Sequence, residues 1–196
     1  MSLAAIQKKA KAKPSIVIIY GPSGLGKTTL AVGSKNPIVL QTEEGLGILT
    51  NNRDIPHFPL SKDYDTFYGY LKALVDADEL EYSTLVIDSL DWLEPLIHAK
   101  TCEAHKQPSI ESFGYGRGYA EALKYWREVL DLVNRLRSEK KMRIVMIAHN
   151  QIKAFHDPST EAYDRHELKM HKAASALVLE ASDMCLFLNY KKGTVK

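Results

Sequence analysis

Residues 16–28 read Ile-Val-Ile-Ile-Tyr-Gly-Pro-Ser-Gly-Leu-Gly-Lys-Thr. The first five are apolar and mostly β-branched, which is typical of a strand buried on both faces of a sheet. Glycine-rich sequence follows at once, and helical character begins over Lys27–Val32. A strand, a glycine-rich turn and a helix in this order indicate the start of an α/β domain.

The same run satisfies the pattern G-x-x-x-x-G-K-[ST] over Gly21–Thr28. The glycines let the backbone curl so that successive N–H groups point at one anion, and the following helix adds the positive end of its dipole. We therefore expect ATP and Mg²⁺ as cofactors, with the Lys27 ammonium on the β- and γ-phosphates and the Thr28 hydroxyl on magnesium. The residues that we expect to hold the nucleotide are Gly21, Pro22, Ser23, Gly24, Leu25, Gly26, Lys27, Thr28 and Thr29.

Strands and helices alternate along the rest of the chain. Buried apolar runs predict strands at Ile16–Tyr20, Pro37–Gln41, Thr84–Asp88, Arg143–Ala148 and Met184–Asn189. Helical spacing of apolar residues predicts helices at Tyr64–Ala77, Leu90–His105 and Ala120–Arg137. This alternation predicts one three-layer α/β domain over residues 16–196, with a mainly parallel sheet covered on both faces.

Acidic residues follow two of the predicted strands. Asp88 ends the third strand and so emerges at the carboxyl edge of the sheet, where it is expected to hold magnesium beside Thr28. The alternative is a helix cap, a role for which Ser89 competes. Glu43 and Glu44 follow the second strand at the same edge, and hydrolysis requires a group that orients or deprotonates water. We expect Glu43 to take this role. The alternatives are that Glu44 takes it, or that both glutamates are solvated loop charges with no role in hydrolysis.

Composition narrows the classes of protein. The chain has 196 residues with a net charge of +2, and its two cysteines, Cys102 and Cys185, give no disulfide framework. No apolar run reaches membrane-spanning length and no signal peptide is evident, so we expect a soluble protein of the cytoplasm with no membrane partner. Residues 1–15 contain four lysines and no acid. They predict a flexible, solvated arm, with electrostatic attraction to nucleic acid as the alternative.

Taken in order, these motifs resemble the RecA-type recombinase core. Within it they are most similar to the small phage-encoded RecA-like ATPases of the single-strand annealing type, which are AAA-domain nucleotide-binding proteins. The resemblance extends from about Ile16 to Asn189. Its motifs are the phosphate loop, Gln-Thr-Glu-Glu-Gly at 41–45, Leu-Val-Ile-Asp-Ser at 85–89, Phe-Gly-Tyr-Gly-Arg-Gly-Tyr at 113–119 and Ile-Ala-His at 147–149.

The resemblance implies a DNA-stimulated ATPase that binds and anneals single-stranded DNA as a homo-oligomer, in a bacterial host that carries the phage or prophage. A single-strand DNA-binding protein is a further partner that it implies. It also implies that Glu43 positions the attacking water and that the polar residue ending the fourth strand senses the γ-phosphate. His149 matches that position and is counted with Glu43 and Lys27 as catalytic, while Asn150 and Gln151 remain alternatives for it.

By the same resemblance, the segments after the third and fourth strands line a DNA path, here about 106–118 and 151–171. Aromatic side chains in the first segment could stack on bases, with Arg117 on phosphate. The second segment mixes basic and acidic residues evenly, and therefore suits DNA only if folding separates its charges. The aromatic candidates are Phe113, Tyr115 and Tyr119, and the candidates for a cation completing a neighbouring subunit's site are Arg165, Lys169 and Lys172.

Two other functions fit the same phosphate loop. One is a small-molecule kinase, although an arginine-rich lid is not evident in the sequence. The other is a nucleotide-gated assembly or interaction module that does not hydrolyse. A separate pattern, His98, Cys102 and His105 on one face of a helix, has the spacing of metal ligands, but we interpret it as an ordinary helix face.

Overall fold

The computed structural model describes residues 12–47, 54–156, 158–159 and 161–191. Its strands are β1 (Ile16–Gly21), β2 (Pro37–Gln41), β3 (Thr84–Asp88), β4 (Arg143–Phe155), β5 (Tyr163–Leu168) and β6 (Met184–Phe187). Its α-helices are α1 (Lys27–Val32), α2 (Tyr64–Asp76), α3 (Leu90–Ala104), α4 (Arg117–Ser138) and α5 (Lys172–Ala181), with a short 3₁₀ helix at Ile110–Phe113.

Five of the strands form a parallel sheet in the order β2-β3-β4-β1-β6. The first half of β4 therefore lies between β1, which precedes the phosphate loop, and β3, which ends in Asp88. Gly21 pairs with His149 on β4, and Gln41 pairs with Asp88 on β3. These four residues lie at the carboxyl edge of the parallel sheet, where open α/β folds place their ligands.

Strands β1, β2 and β3 and the first half of β4 are buried on both faces because apolar residues continue along them without polar alternation. The edge strand β6 differs from the predicted buried strand over Met184–Asn189, because it ends at Phe187 and all four of its residues are exposed. On one face Ile16 and Ile18 pack beneath α2, α3, α4 and α5, in a cluster that includes the fully buried Trp126 and Phe67. On the other face Val17 and Ile19 pack with Ala31 and Val32 of α1. The prediction of a three-layer α/β fold with a mainly parallel sheet is confirmed.

The segment after the fourth strand differs from the prediction of a loop over 151–171. Strand β4 continues to Phe155 and forms an antiparallel hairpin with β5, in which Lys153 pairs with Arg165 and Phe155 with Tyr163. Helix α5 follows, and it was also not predicted. Polar residues occur on both faces of the hairpin, so the alternation that reveals a half-buried strand is missing from its sequence. Helix α4 also begins earlier than predicted, at Arg117.

Arg137 and Asp183 connect the start of β1 to α4 and to the segment before β6. The Arg137 guanidinium donates to the carbonyl of Pro14 and to Asp183, which in turn accepts the Ile16 N–H. Of the predicted basic arm over residues 1–15, residues 1–11 lie outside the described residues. No helix within the described ranges is both long enough and apolar enough to cross a bilayer.

The hairpin is anchored at its end by Glu94, a buried acid of α3. Both carboxylate oxygens accept the backbone N–H of His171, at 3.0 and 2.9 Å. Burial raises the pKa of Glu94 from 4.5 to about 7, with a contribution from Asp91, although His171 and Lys153 oppose the shift.

This pKa predicts a pH-dependent stability. Between pH 5 and pH 7 the folded chain binds more protons at Glu94 than the unfolded chain, so the free energy of unfolding falls as the pH rises, by about 2 kcal/mol over this interval. The substitution Glu94→Gln removes the proton site but retains an oxygen for the His171 N–H. Denaturant unfolding at pH 5, 6, 7 and 8 should show a flatter dependence than that of the wild type.

The matched control is Glu103→Gln, an exposed position on the same helix. It should keep the wild-type slope. Equal slopes for the wild type and Glu94→Gln would contradict the assignment of this pH dependence to Glu94.

Candidate nucleotide-binding site

The carboxyl edge of the sheet holds a cavity of about 410 Å³. Four parts of the chain contribute to it: the phosphate loop with the start of α1, the turn after β2, the end of β3 and the middle of β4. The lining residues are Ser23, Gly24, Gly26, Lys27, Thr28, Thr29, Glu43, Glu44, Gly45, Asp88 and His149.

The phosphate loop has the backbone that its glycines predict. Gly24 and Gly26 adopt φ values of 78° and 79°, a region that side-chain-bearing residues rarely enter. The buried Lys27 ammonium donates to the carbonyl oxygens of Gly21 at 3.0 Å and Pro22 at 2.9 Å. Burial lowers the pKa of Lys27, while nearby carboxylates, Asp88 first among them, oppose the shift. The amine is thus held at the loop, beside the space that a triphosphate requires.

Thr28 and Asp88 meet directly. The Thr28 hydroxyl donates to Asp88 Oδ2 at 2.7 Å, and Asp88 is 5% exposed. Burial raises the pKa of this carboxyl, although the Thr28 hydrogen bond, His149 and Lys27 lower it. Ser89, rather than Asp88, occupies the N-cap position of α3. A hydroxyl and a buried carboxylate are the hard oxygen ligands that Mg²⁺ prefers, so the residues present fit this ion.

The turn after β2 is tied to the end of β3. The Thr42 N–H donates to the Asp88 carbonyl at 2.7 Å, and the Thr42 hydroxyl donates to the Ser89 carbonyl and accepts the Ser89 N–H. This connection brings Glu43 and Glu44 to the cavity. Glu43 is half-buried and Glu44 is exposed. Burial raises the pKa of Glu43, which agrees with the closer position of its carboxyl to the interior of the site.

His149 joins the same cavity from β4. Its backbone N–H donates to Asp91 Oδ1 at 2.9 Å, and its ring Nδ1 lies 3.0 Å from Asp91 Oδ2. This contact raises the pKa of His149, against the effect of burial. Burial acts to raise the pKa of Asp91, but the hydrogen bonds from His149 outweigh it and lower that pKa. The sequence analysis did not identify Asp91 as a site residue. Its position three residues after Asp88, at the same edge of the sheet, is the sequence feature that could have indicated it.

The predicted DNA-contacting side chains of the first segment separate into two groups. Tyr115 is fully exposed, in a left-handed turn with φ of 49°, and Arg117 begins α4 beside it. Tyr119 is instead engaged, because its ring stacks on His171 at 4.0 Å and its hydroxyl donates to Glu111. Phe113 packs edge-on against His105.

Three cations, Arg165, Lys169 and Lys172, are the candidates for completing the nucleotide site of a neighbouring subunit. None of them lines the cavity of its own chain, as far as the described residues show. Arg165 is bound to Glu167 and lies 4.3 Å from the Phe155 ring. Lys169 is exposed, and Lys172 lines a different cavity of about 460 Å³ between β5 and α5.

The helix face with metal-ligand spacing makes ordinary contacts. The rings of His98 and His105 pack edge-on against Tyr119 and Phe113, and Cys102 is partly buried. Within the described ranges, groups of three or more His, Cys, Asp and Glu side chains arranged to hold a metal ion are absent.

Fold and site together define a P-loop nucleotide-binding domain. The family model described as an AAA domain matches residues 13–196, and the chain therefore belongs to the AAA domain family. It is also similar to an uncharacterized protein derived from the SPbeta prophage of Bacillus subtilis (strain 168), YorG, with 24% identity over 176 residues. That alignment covers 89% of this chain and 50% of the relative, so the chain spans about half the length of the curated relative it matches. These comparisons support a phage-associated P-loop ATPase.

Lys27 provides the first test of the site. The substitution Lys27→Ala removes the one loop side chain that carries a positive charge, and nucleotide affinity should fall at least about 10-fold, since charge-assisted bonds are worth about 1.5–3 kcal/mol. Isothermal titration with Mg²⁺ and the non-hydrolysable analogue AMP-PNP measures it. Lys35→Ala, an exposed lysine beyond α1, is the matched control and should bind as the wild type does. Equal affinity for all three proteins would place the nucleotide elsewhere.

Proposed function

We propose that this chain is a magnesium-dependent, RecA-like ATPase that acts on single-stranded DNA in phage recombination, by strand annealing. One observation carries the enzymatic part. The phosphate loop, the Thr28–Asp88 pair, Glu43 and His149 converge on one cavity, although they come from four separate parts of the chain. Binding alone requires the loop, whereas hydrolysis also requires the acid and the polar group opposite it.

Each group has a role in hydrolysis. Lys27 and the loop N–H groups would hold the phosphates, and the Thr28 hydroxyl and Asp88 would hold magnesium. Magnesium held there would supply positive charge for the phosphate oxygens. Glu43 orients a water molecule and accepts its proton as the water oxygen bonds to the γ-phosphorus and the bond to the β–γ bridging oxygen breaks. ADP and inorganic phosphate are the products.

The hairpin supports the DNA part, because its fold places two cations and two aromatic rings on one face. Residues directly opposite in an antiparallel pair share a face, and so do alternate residues of one strand. Lys153, Arg165, Phe155 and Tyr163 therefore share one face, which we call the hairpin basic face, whereas Asp164 belongs to the opposite one. The Phe155 and Tyr163 rings lie 5.4 Å apart on the basic face.

This face combines the two features that bind single strands without sequence preference, cations for phosphate and rings for stacking on bases. Among the described residues of β4 and β5, Glu167 is the acid that shares this face; it pairs with Arg165 and lies 4.0 Å from Lys153. The exposed Tyr115 and Arg117 offer a second contact of the same kind. As the resemblance implies, the active form is a homo-oligomer. In such an assembly a cation such as Lys169 would reach the nucleotide site of a neighbouring subunit. The resemblance also implies a single-strand DNA-binding protein as a further partner.

ATP turnover with and without single-stranded DNA tests the enzymatic proposal. Wild-type turnover should rise with DNA. The substitution Glu43→Gln should lower turnover about 100-fold or more, the contribution of a positioned base, and should leave AMP-PNP affinity unchanged.

The matched control is Glu44→Gln, the exposed neighbour at the mouth of the same cavity. It should retain most of the wild-type rate. If Glu44→Gln abolishes turnover and Glu43→Gln does not, the base is assigned to the wrong residue. Turnover that ignores DNA and passes phosphate to a small acceptor would favour a kinase. Binding without any turnover would favour a nucleotide-gated assembly module.

The hairpin basic face provides the test of DNA binding. The double substitution Lys153→Ala with Tyr163→Ala should weaken affinity about 10-fold or more, because each lost base stack is worth about 1–3 kcal/mol. Fluorescence anisotropy with a labelled oligothymidylate, in the presence of Mg²⁺ and AMP-PNP, measures it. Tyr115→Ala with Arg117→Ala should weaken affinity in the same assay.

Ile152→Ala is the matched control, since Ile152 is exposed on the opposite face of the same hairpin. Its affinity should stay within about twofold of the wild type, as expected for a surface position. Unchanged affinity in both double variants would remove these surfaces from the DNA path.

A further inference from the structure

Asp91 lies behind the site and makes both of its strong contacts with His149. Its side chain is 3% exposed, and its two oxygens take up the backbone N–H and the ring Nδ1 of that one residue. A carboxylate engaged in this way fixes both the position of the backbone and the rotation of the ring. The ring cannot turn about its axis without losing a hydrogen bond inside the protein, where a replacement from water is not at hand.

The same contact determines which ring nitrogen faces the cavity. Ionised Asp91 is an acceptor only, so His149 Nδ1 must carry a proton to bond it. Nε2 is then the ring nitrogen left for a group in the cavity, which His149 lines together with Lys27 and Glu43. A buried partner that orients an imidazole through its rear nitrogen is a general device for setting tautomer and direction.

The charges that face His149 favour a second proton on the ring. Asp91 comes from α3, Asp88 from the end of β3 and Glu43 from the turn after β2, and all three are acidic. Lys27 from the phosphate loop opposes that proton. Lys169 also neighbours His149, since its backbone N–H donates to the His149 carbonyl, but its side chain is exposed. An opposite charge within hydrogen-bond distance stabilises the charged form of a group.

We propose that Asp91 is a positioning residue that holds His149 as a cation, with Nε2 directed at the terminal phosphate of a bound nucleoside triphosphate. The chain would thereby supply a second positive charge from within itself, across the cavity from Lys27. This inference rests on the nucleotide site of the proposed function and is independent of its DNA part. A cationic His149 differs from a neutral amide side chain at this position. An amide would contact the phosphate by a hydrogen bond alone, and that contact would not depend on pH near neutrality.

The decisive variant is Asp91→Asn. The amide oxygen still accepts the His149 backbone N–H, so the chain keeps that connection between α3 and β4. The amide nitrogen, however, donates where the carboxylate accepted, which favours the neutral ring with its proton on Nε2. The change therefore alters the charge and tautomer of His149 while it preserves the size of the partner.

Imidazole ¹⁵N NMR reads this directly, without turnover. The His149 signal is assigned as the one that is missing from the spectrum of His149→Gln. We expect its titration midpoint in the wild type to lie about one pH unit or more above the midpoint in Asp91→Asn, because a close opposite charge stabilises the charged ring. Its Nε2 resonance should move on addition of Mg²⁺ with AMP-PNP and move less with Mg²⁺ and ADP. A wild-type ring that is neutral at pH 7, or that has its proton on Nε2 alone, would overturn the proposal, and this measurement stands even if Asp91→Asn fails to fold.

Kinetics separate positioning from a merely structural role. Asp91→Asn and His149→Gln should each lower kcat about 10-fold or more with KM little changed, because an interaction made in the transition state is lost. The double variant should be no slower than His149→Gln alone, since Asp91 acts through that ring. Losses that multiply in the double variant would contradict the proposal. Asp131→Asn, an exposed acid on α4, is the matched control and should leave kcat unchanged.

The two proposals fail separately. A wild type whose His149 is cationic and responds to AMP-PNP, but which does not hydrolyse ATP, supports this inference and overturns the hydrolytic function. A wild type that hydrolyses ATP with a neutral His149 supports the function and overturns this inference.

Discussion

The hydrogen bond from the Thr28 hydroxyl to the Asp88 carboxylate, 2.7 Å long, joins the phosphate loop to a strand two places away in the sheet. Asp88 is 5% exposed, and a buried carboxylate is costly unless a donor or a cation compensates it. The rest of the site offsets that cost in part, and burial still leaves the pKa of Asp88 above its ordinary value. Thr28 donates to Asp88, Lys27 lies close enough to lower its pKa, and the pair offers the oxygen ligands that magnesium prefers.

The parallel sheet makes this arrangement possible. Because β4 lies between β1 and β3, the loop and Asp88 are separated by one strand, and the residue that emerges between them is His149. Strand β2 then brings Glu43 to the other side of Asp88, held there by the hydrogen bonds of Thr42 with Ser89. Apolar residues on both faces of the central strands pack the sheet between two layers of helices, and side chains distant in sequence meet in one cavity at its carboxyl edge.

The sequence was sufficient for the features that depend on local pattern. Buried β-branched runs located the central strands, and the glycine pattern located the loop, because both are properties of a few adjacent residues. The prediction of a loop over 151–171 was wrong, because the β4–β5 hairpin lies there. Polar residues occur on both faces of this hairpin, so its sequence lacks the alternation of apolar and polar residues that indicates a strand. The Asp91–His149 contact spans 58 positions and follows only from packing α3 against the end of β4. The contact of Tyr119 with His171 is likewise tertiary, so the sequence could not show that one face of this ring is already stacked.

The most direct test of the account is a crystal structure of the chain with Mg²⁺ and AMP-PNP. The account predicts the triphosphate in the Gly21–Thr28 loop, magnesium held by Thr28 with Asp88 behind it, and Glu43 and His149 on the side of the terminal phosphate. A nucleotide bound outside this cavity would contradict it. So would a complex in which Glu43 and His149 both lie away from that phosphate.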